Sequence, residues 1–171
     1  MLSAEKLATI TSDVLRIHSK FARTPKKAFR AFDGVTPSGV HSVLLGMLAL
    51  NEESLPEELR IRVALTLFGH DILEDTTATL PSWATEDTEV LTLILGMTFD
   101  EGQNKYEEMW KHDRKILLPE FFDCTINLSC AKTKKPERTE MCRAAVRMLL
   151  AYIEPLYPGL EITKMAKAFL Q

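Results

Sequence analysis

Apolar residues recur along this chain at three- and four-residue steps, the period of an amphipathic helix, and alternating strand-like runs are scarce. Leu7, Ile10, Val14, Ile17 and Phe21 mark one such face, so a helix is expected over 3–22 with Ser3 as its N-cap. The stretch from Arg23 to Gly39 is turn-rich, with two Thr-Pro pairs and an Asp-Gly. Pro25, suited to a first helical position, nevertheless allows a short helix through Phe29. A second long helix is expected over Ser38 to Asn51, carrying Val40, Leu44, Leu45, Met47 and Leu48. NEESLPEE then offers a fresh start, with Ser54 as cap and Pro56, Glu57 and Glu58 in a first turn, and the third helix runs to about Leu73.

Thr76 to Trp83 reads as a loop and Glu86 to Thr98 as a helix, with FDEGQN breaking the chain after it. Tyr106 to Lys132 reads as one or two helices, with Pro119 in a first turn or at a kink. A basic loop, AKTKKPERT, precedes a last long helix over Glu137 to Leu156, and ITKMAKAFL closes the chain as a short one. No internal repeat or interdomain linker interrupts this. The expectation is an all-α, single compact domain over 1–171 with roughly six to eight helices.

Composition narrows the partners. Hydrophobic residues make up 46% of the 171, too many for a disordered chain. The net charge is -3 with both signs interspersed, so no nucleic-acid partner is expected, although a local group of Lys and Arg can still hold a small phosphorylated ligand. Three cysteines without a CxxC point away from a disulfide framework and toward free thiols in a cytoplasmic setting. No run of about 18 apolar residues is present and MLSAEKLATI lacks a signal-like apolar core, so no membrane partner is expected. The apolar C-terminal helices leave two uses open, closing the core or forming a homodimer.

Chemistry concentrates at GHDILEDTT, residues 69–77, directly after the apolar run VALTLF. On a helix His70 is four before Glu74, and Asp71 is three before Glu74 and four before Asp75, which gathers these side chains on one flank. Hard carboxylates with a neutral imidazole suit a divalent metal ion and a positioned water. One His and one Asp are too few ligands, so other helices must add to them. His41 on an otherwise apolar helix is one candidate. Asp123 is the other, set among Phe121, Phe122, Cys124, Ile126 and Leu128, where a carboxylate needs a partner, and Asn127 shares its face.

The ordered set His41, His70-Asp71 and Asp123 resembles the H…HD…D signature of the HD superfamily of metal-dependent phosphohydrolases. HDILEDT is similar to the HDxxEDT motif of RelA/SpoT-type hydrolase domains, FFDCTIN to their D-x-x-x-N motif, and LILGMT to the LVxGVTK stretch between them; together they span about residues 20–130. The resemblance implies that His41, His70, Asp71 and Asp123 hold one divalent metal ion, manganese first, with iron, zinc, cobalt, nickel or magnesium as alternatives. It gives Glu74 and Asp75 the task of orienting and activating water, and Asn127 that of holding the substrate's sugar or the metal network. Arg30, in FRAFDG, would lie beside the base or phosphate. The chain departs from the pattern in two places: Ser42 follows His41 where the family often has Pro, and the family's KxADRxHN reads EFFDCTIN, with Cys124 and Ile126 at basic or His positions.

The implied activity is hydrolysis of a (p)ppGpp-like alarmone at its 3'-pyrophosphate by a stand-alone small hydrolase, with a small phosphorylated nucleotide as partner. The alternatives are a nucleoside 5'-monophosphatase of the same superfamily and a non-catalytic nucleotide-binding HD domain. Lys26 and Lys27 are candidate phosphate contacts, as are Lys132, Lys134, Lys135 and Arg138 of the basic loop. A second His-Asp pair, His112-Asp113, sits among charges and reads as a solvated face. Glu107 and Glu108 read as helix surface, Trp83 and Trp110 as packing, and His18, between Arg16 and Lys20, as surface.

Overall fold

The computed structural model of the protein describes residues 2–30, 34–99, 104–130 and 136–171. Among them the fold is all-α: α1 (Ala4–Phe21), α2 (Ser38–Leu50), α3 (Glu57–Gly69), α4 (Ile72–Asp75), α5 (Ser82–Thr85), α6 (Thr88–Gly96), α7 (Lys105–Glu108), α8 (Leu117–Ser129), α9 (Pro136–Leu156) and α10 (Glu161–Leu170). Seven of these have nine or more residues, and α4, α5 and α7 are single turns; two 3₁₀ turns join α7 to α8. Extended pairing among the described residues is limited to two isolated bridges.

Two helices organise the core. The second half of α3 is buried from Val63 to Gly69, and α8 is buried along nearly its whole length. Their aromatic rings, Phe68, Phe121 and Phe122, are among the largest fully enclosed side chains, each stabilising by about 2–3 kcal/mol. α2 packs so closely on α3 that a Cβ at Gly46 would lie 2.5 Å from the Phe68 ring. α9 and α10 cover α8, closing the core from the C-terminal side. Among the described residues no helix is long and apolar enough to cross a membrane.

Most expected elements are present, with ends shifted by a few residues. Ser3 caps α1 as expected, its hydroxyl accepting from the Lys6 amide at 3.1 Å. The helix allowed from Pro25 to Phe29 is absent: one turn closes through Lys27 N–H to Thr24 O, but the backbone is then drawn into pairing with the approach to α2. Arg30 N–H donates to Thr36 O, Ser38 N–H donates to Ala28 O, and Gly34, at φ 68°, supplies the left-handed residue of this loop. Ser54 does not cap α3; its hydroxyl donates to Gly159 O instead. Glu52 does the unexpected capping, accepting from the Glu161 and Ile162 amides at the start of α10. Pro119 falls in the first turn of α8. Lys132, Lys134 and Lys135 of the basic loop, and residues 100–103 of FDEGQN, lie outside the described residues; Arg138 is exposed in the first turn of α9.

The third helix stops at Gly69 rather than near Leu73, and a helical path resumes at Ile72. Asp71, at φ -86° and ψ -6°, leaves the ideal helix geometry there. Beyond this break the chain is clipped to the end of α1. Arg23 N–H donates to Asp75 O, Thr77 N–H donates to Phe21 O, and Ala22 bridges Thr76.

Candidate metal centre

The break at the end of α3 sets up the site. Neighbouring residues on an ideal helix point about 100° apart. Here His70 and Asp71 turn toward each other, with His70 Nε2 3.2 Å from Asp71 Oδ1. His70 is buried, and its Nδ1 lies 2.8 Å from Leu67 O, an arrangement only Nδ1–H can satisfy. That fixes Nε2 as the free end of the ring.

α2 and α8 bring the other two groups. His41 Nε2 lies 2.8 Å from Asp123 Oδ1, which is also 3.7 Å from His70 Nε2, and the two imidazole centroids are 5.8 Å apart. One donor atom each from His41, His70 and Asp71 falls within a 4.8 Å cluster, the spacing needed to hold a metal ion. The orphaned atom is His70 Nε2: it is buried and makes no aligned hydrogen bond, although it faces two carboxylates. A lone pair there needs a proton or a cation opposite it. Nitrogen and oxygen donors, two of each, fit a first-row divalent ion.

The electrostatics agree. Burial alone would lower the His70 pKa, but Asp71 and Asp123 outweigh it and hold it well above the ordinary imidazole value. Burial would likewise push Asp71 up, yet the adjacent His70 ring keeps it well below the carboxylate range. Asp123 is held low, against burial, chiefly by Lys105 and the two histidines. His41 is lowered by burial.

The remaining expected residues surround this cluster. Asn127 bridges it to Arg30: its amide donates to Asp123 Oδ1 at 2.7 Å and accepts from Arg30 Nη2 at 2.6 Å. Arg30 Nη1 also lies 3.9 Å from Asp71 Oδ2. Glu74 and Asp75 diverge. Glu74 Oε1 accepts from the Phe99 amide at 2.6 Å, just after α6, whereas Asp75 Oδ1 accepts from Lys27 at 2.6 Å. Burial and the negative charge of Asp71 raise the Glu74 carboxyl to about 7, and raise Asp75 against the pull of Lys27. Lys27 is thus tied to a carboxylate, while Lys26 is exposed.

Three residues near the site went unrecognised in the sequence. His18 is a correction: it is buried, not on the surface, and neither ring nitrogen has a partner among the described residues. Its backbone packs under α2, with its Cβ 3.2 Å from where a Cβ on Gly39 would sit. Ile10, Val14 and His18 follow one another at four-residue steps, a signal that places the ring on the buried stripe of α1. Lys105 and Glu120 are the others: the Lys105 ammonium lies 2.5 Å from Asp123 Oδ2 and 3.0 Å from Glu120 Oε2. His112 and Asp113 are exposed, as expected, and Asp113 caps a 3₁₀ turn. Trp83 is buried against the core, and Trp110 meets Tyr152 edge-on.

The chain matches no protein-family model and no curated protein, so its function is read from its own residues.

Proposed function

We propose that the protein is a metal-dependent phosphohydrolase of the HD superfamily acting on a small phosphorylated nucleotide, with (p)ppGpp-like alarmones and cleavage at the 3'-pyrophosphate as the first assignment. The observation that carries this is the convergence of His41, His70, Asp71 and Asp123 from three separate parts of the fold, with the unbonded His70 Nε2 among them. These four residues hold a divalent ion, manganese by preference. When bound, it supplies Lewis-acid polarisation of a phosphoryl oxygen and makes a water more acidic. Glu74, held near neutrality, accepts the proton of the attacking water. The Phe99 amide fixes one of its oxygens and leaves the other for that task. Asp75 acts through Lys27, keeping its ammonium at the mouth of the site. Arg30, oriented by Asn127, faces the phosphates, and the cations between α1 and α2 favour a ligand with several negative charges.

The test is product identification by chromatography after incubating the protein, with and without manganese, with ppGpp, NADPH and nucleoside monophosphates. Manganese-dependent release of pyrophosphate from ppGpp is expected. Asp71→Ala should lose bound metal and turnover together, and Glu74→Ala should keep the metal and lose turnover. Phosphate released only from monophosphates would replace the substrate class. Full activity in Glu74→Ala would remove Glu74 from its role.

A further inference from the structure

Next to the His-Asp cluster lies a second group of ligand atoms. Glu120, Asp123 and Cys124 stand on one face of α8, three and four residues apart, and a carboxylate oxygen or sulfur from each falls within a 4.8 Å cluster. All three are buried, Glu120 completely. The Cys124 thiol faces Glu120 Oε2 at 3.9 Å. Glu120 Oε1 is buried without a hydrogen-bond partner among the described residues. Two enclosed carboxylates this close need a positive charge between them.

Lys105 provides it. Its Nζ lies 2.5 Å from Asp123 Oδ2 and 3.0 Å from Glu120 Oε2, so it sits against the same atoms that a metal ion would ligate. Asp123 is divided between the two groups: Oδ1 faces His41, His70 and Asn127, and Oδ2 faces the ammonium. A carboxylate shared in this way is how paired-metal centres are bridged. We infer that Lys105 is a built-in cation filling a second metal position formed by Glu120, Asp123 and Cys124, which keeps the centre to one metal ion per chain. An ammonium neutralises the carboxylates without offering open coordination positions, so this half of the site is electrostatic support for Asp123. The first ion rests on the metal centre proposed above; the second position does not.

Cobalt(II) tests this, because thiolate ligation gives it an intense near-ultraviolet charge-transfer band. Metal-free protein is dialysed against cobalt and then against cobalt-free buffer, and cobalt per chain is measured by plasma emission with an absorption spectrum. The wild type should hold one ion and show no thiolate band. Lys105→Ala should hold two and gain the band, and Cys124→Ser in that background should remove it. Lys105→Arg, which keeps the charge, should behave as the wild type. Should Lys105→Ala fail to fold, Lys105→Met, neutral with the same aliphatic stem, carries the same expectation. A wild type with two ions and the band, or a charge-removed variant still at one ion without it, overturns the inference. A wild type with no cobalt beside a Lys105→Ala variant with one thiolate-bound ion would instead overturn the histidine centre and leave the role of Lys105 standing.

Discussion

Glu74 carries a carboxyl whose surroundings disfavour its charged form, and replacing it with Gln should reveal at what cost to the fold. The side chain is largely enclosed three residues after Asp71, and these surroundings move its carboxyl from the ordinary 4.5 to about 7. The folded protein therefore binds this proton more tightly than the unfolded chain does. Stability from that proton is complete below about pH 4.5, declines as pH rises toward about 7, and stays lost above it. At about 1.36 kcal/mol per pH unit, the loss is up to about 3 kcal/mol. Gln cannot ionise, and its carbonyl can still accept from the Phe99 amide. In urea unfolding of chelator-treated protein, Glu74→Gln should match the wild type near pH 4.5 and exceed it by up to about 3 kcal/mol at pH 8. In the manganese-loaded protein the same substitution should lower turnover by about 10²–10⁴-fold and flatten the rising limb of the pH–rate profile. Equal stabilities at pH 8 would refute the placement of Glu74 in a charge-hostile environment.

Other substitutions probe the frame of the site. Asp71→Ala should abolish manganese-induced stabilisation, which at free metal about a hundredfold above Kd is about 2.7 kcal/mol, or roughly 8 °C in a thermal melt; an undiminished shift in the variant would place the ion elsewhere. Glu52→Ala removes acceptors from two amides at the start of α10 and should cost about 1–2 kcal/mol in urea unfolding; a loss below about 0.3 kcal/mol would mean that water replaces the carboxylate fully. Gly46→Ala sets a methyl 2.5 Å from the Phe68 ring and should destabilise by about 1–3 kcal/mol, with a wild-type melting temperature counting against tight α2–α3 packing.

The sequence made the helices readable because their apolar faces are local, repeating signals. α1, α6 and α9 each carry a stripe at helical spacing, and their ends, like those of α2, fall within a few residues of expectation; α2 itself buries mainly small and polar residues and leaves Val40, Leu44 and Met47 exposed. The segment after Pro25 was misleading because backbone pairing with Thr36 and Ser38, beyond the reach of a helical turn, decides its shape. The grouping of His41, His70, Asp71 and Asp123 was visible as polar residues in apolar settings, whereas the break that turns His70 and Asp71 together was marked in VALTLFGHDIL only by Gly69, a weak signal inside so apolar a run. Charged neighbours disguised His18, although its four-residue spacing from Val14 lay in plain view. Lys105 gave no local sign, because what defines it is an ion pair formed 18 residues away in the chain.

His41 and Asp123, now 2.8 Å apart, are separated by 82 positions along the chain. Closing so long a loop is entropically costly, and no short segment of the unfolded protein can imitate the four-residue cluster. A metal ion therefore has nothing to grip until α2, the α3 terminus and α8 have docked. Its stabilisation should enter after the folding barrier, lowering the unfolding rate while the folding rate stays constant, as stopped-flow measurements with and without manganese would register. An ion held there would work as a latch on the finished structure, and the lifetime of the native state would then depend on how much metal surrounds it.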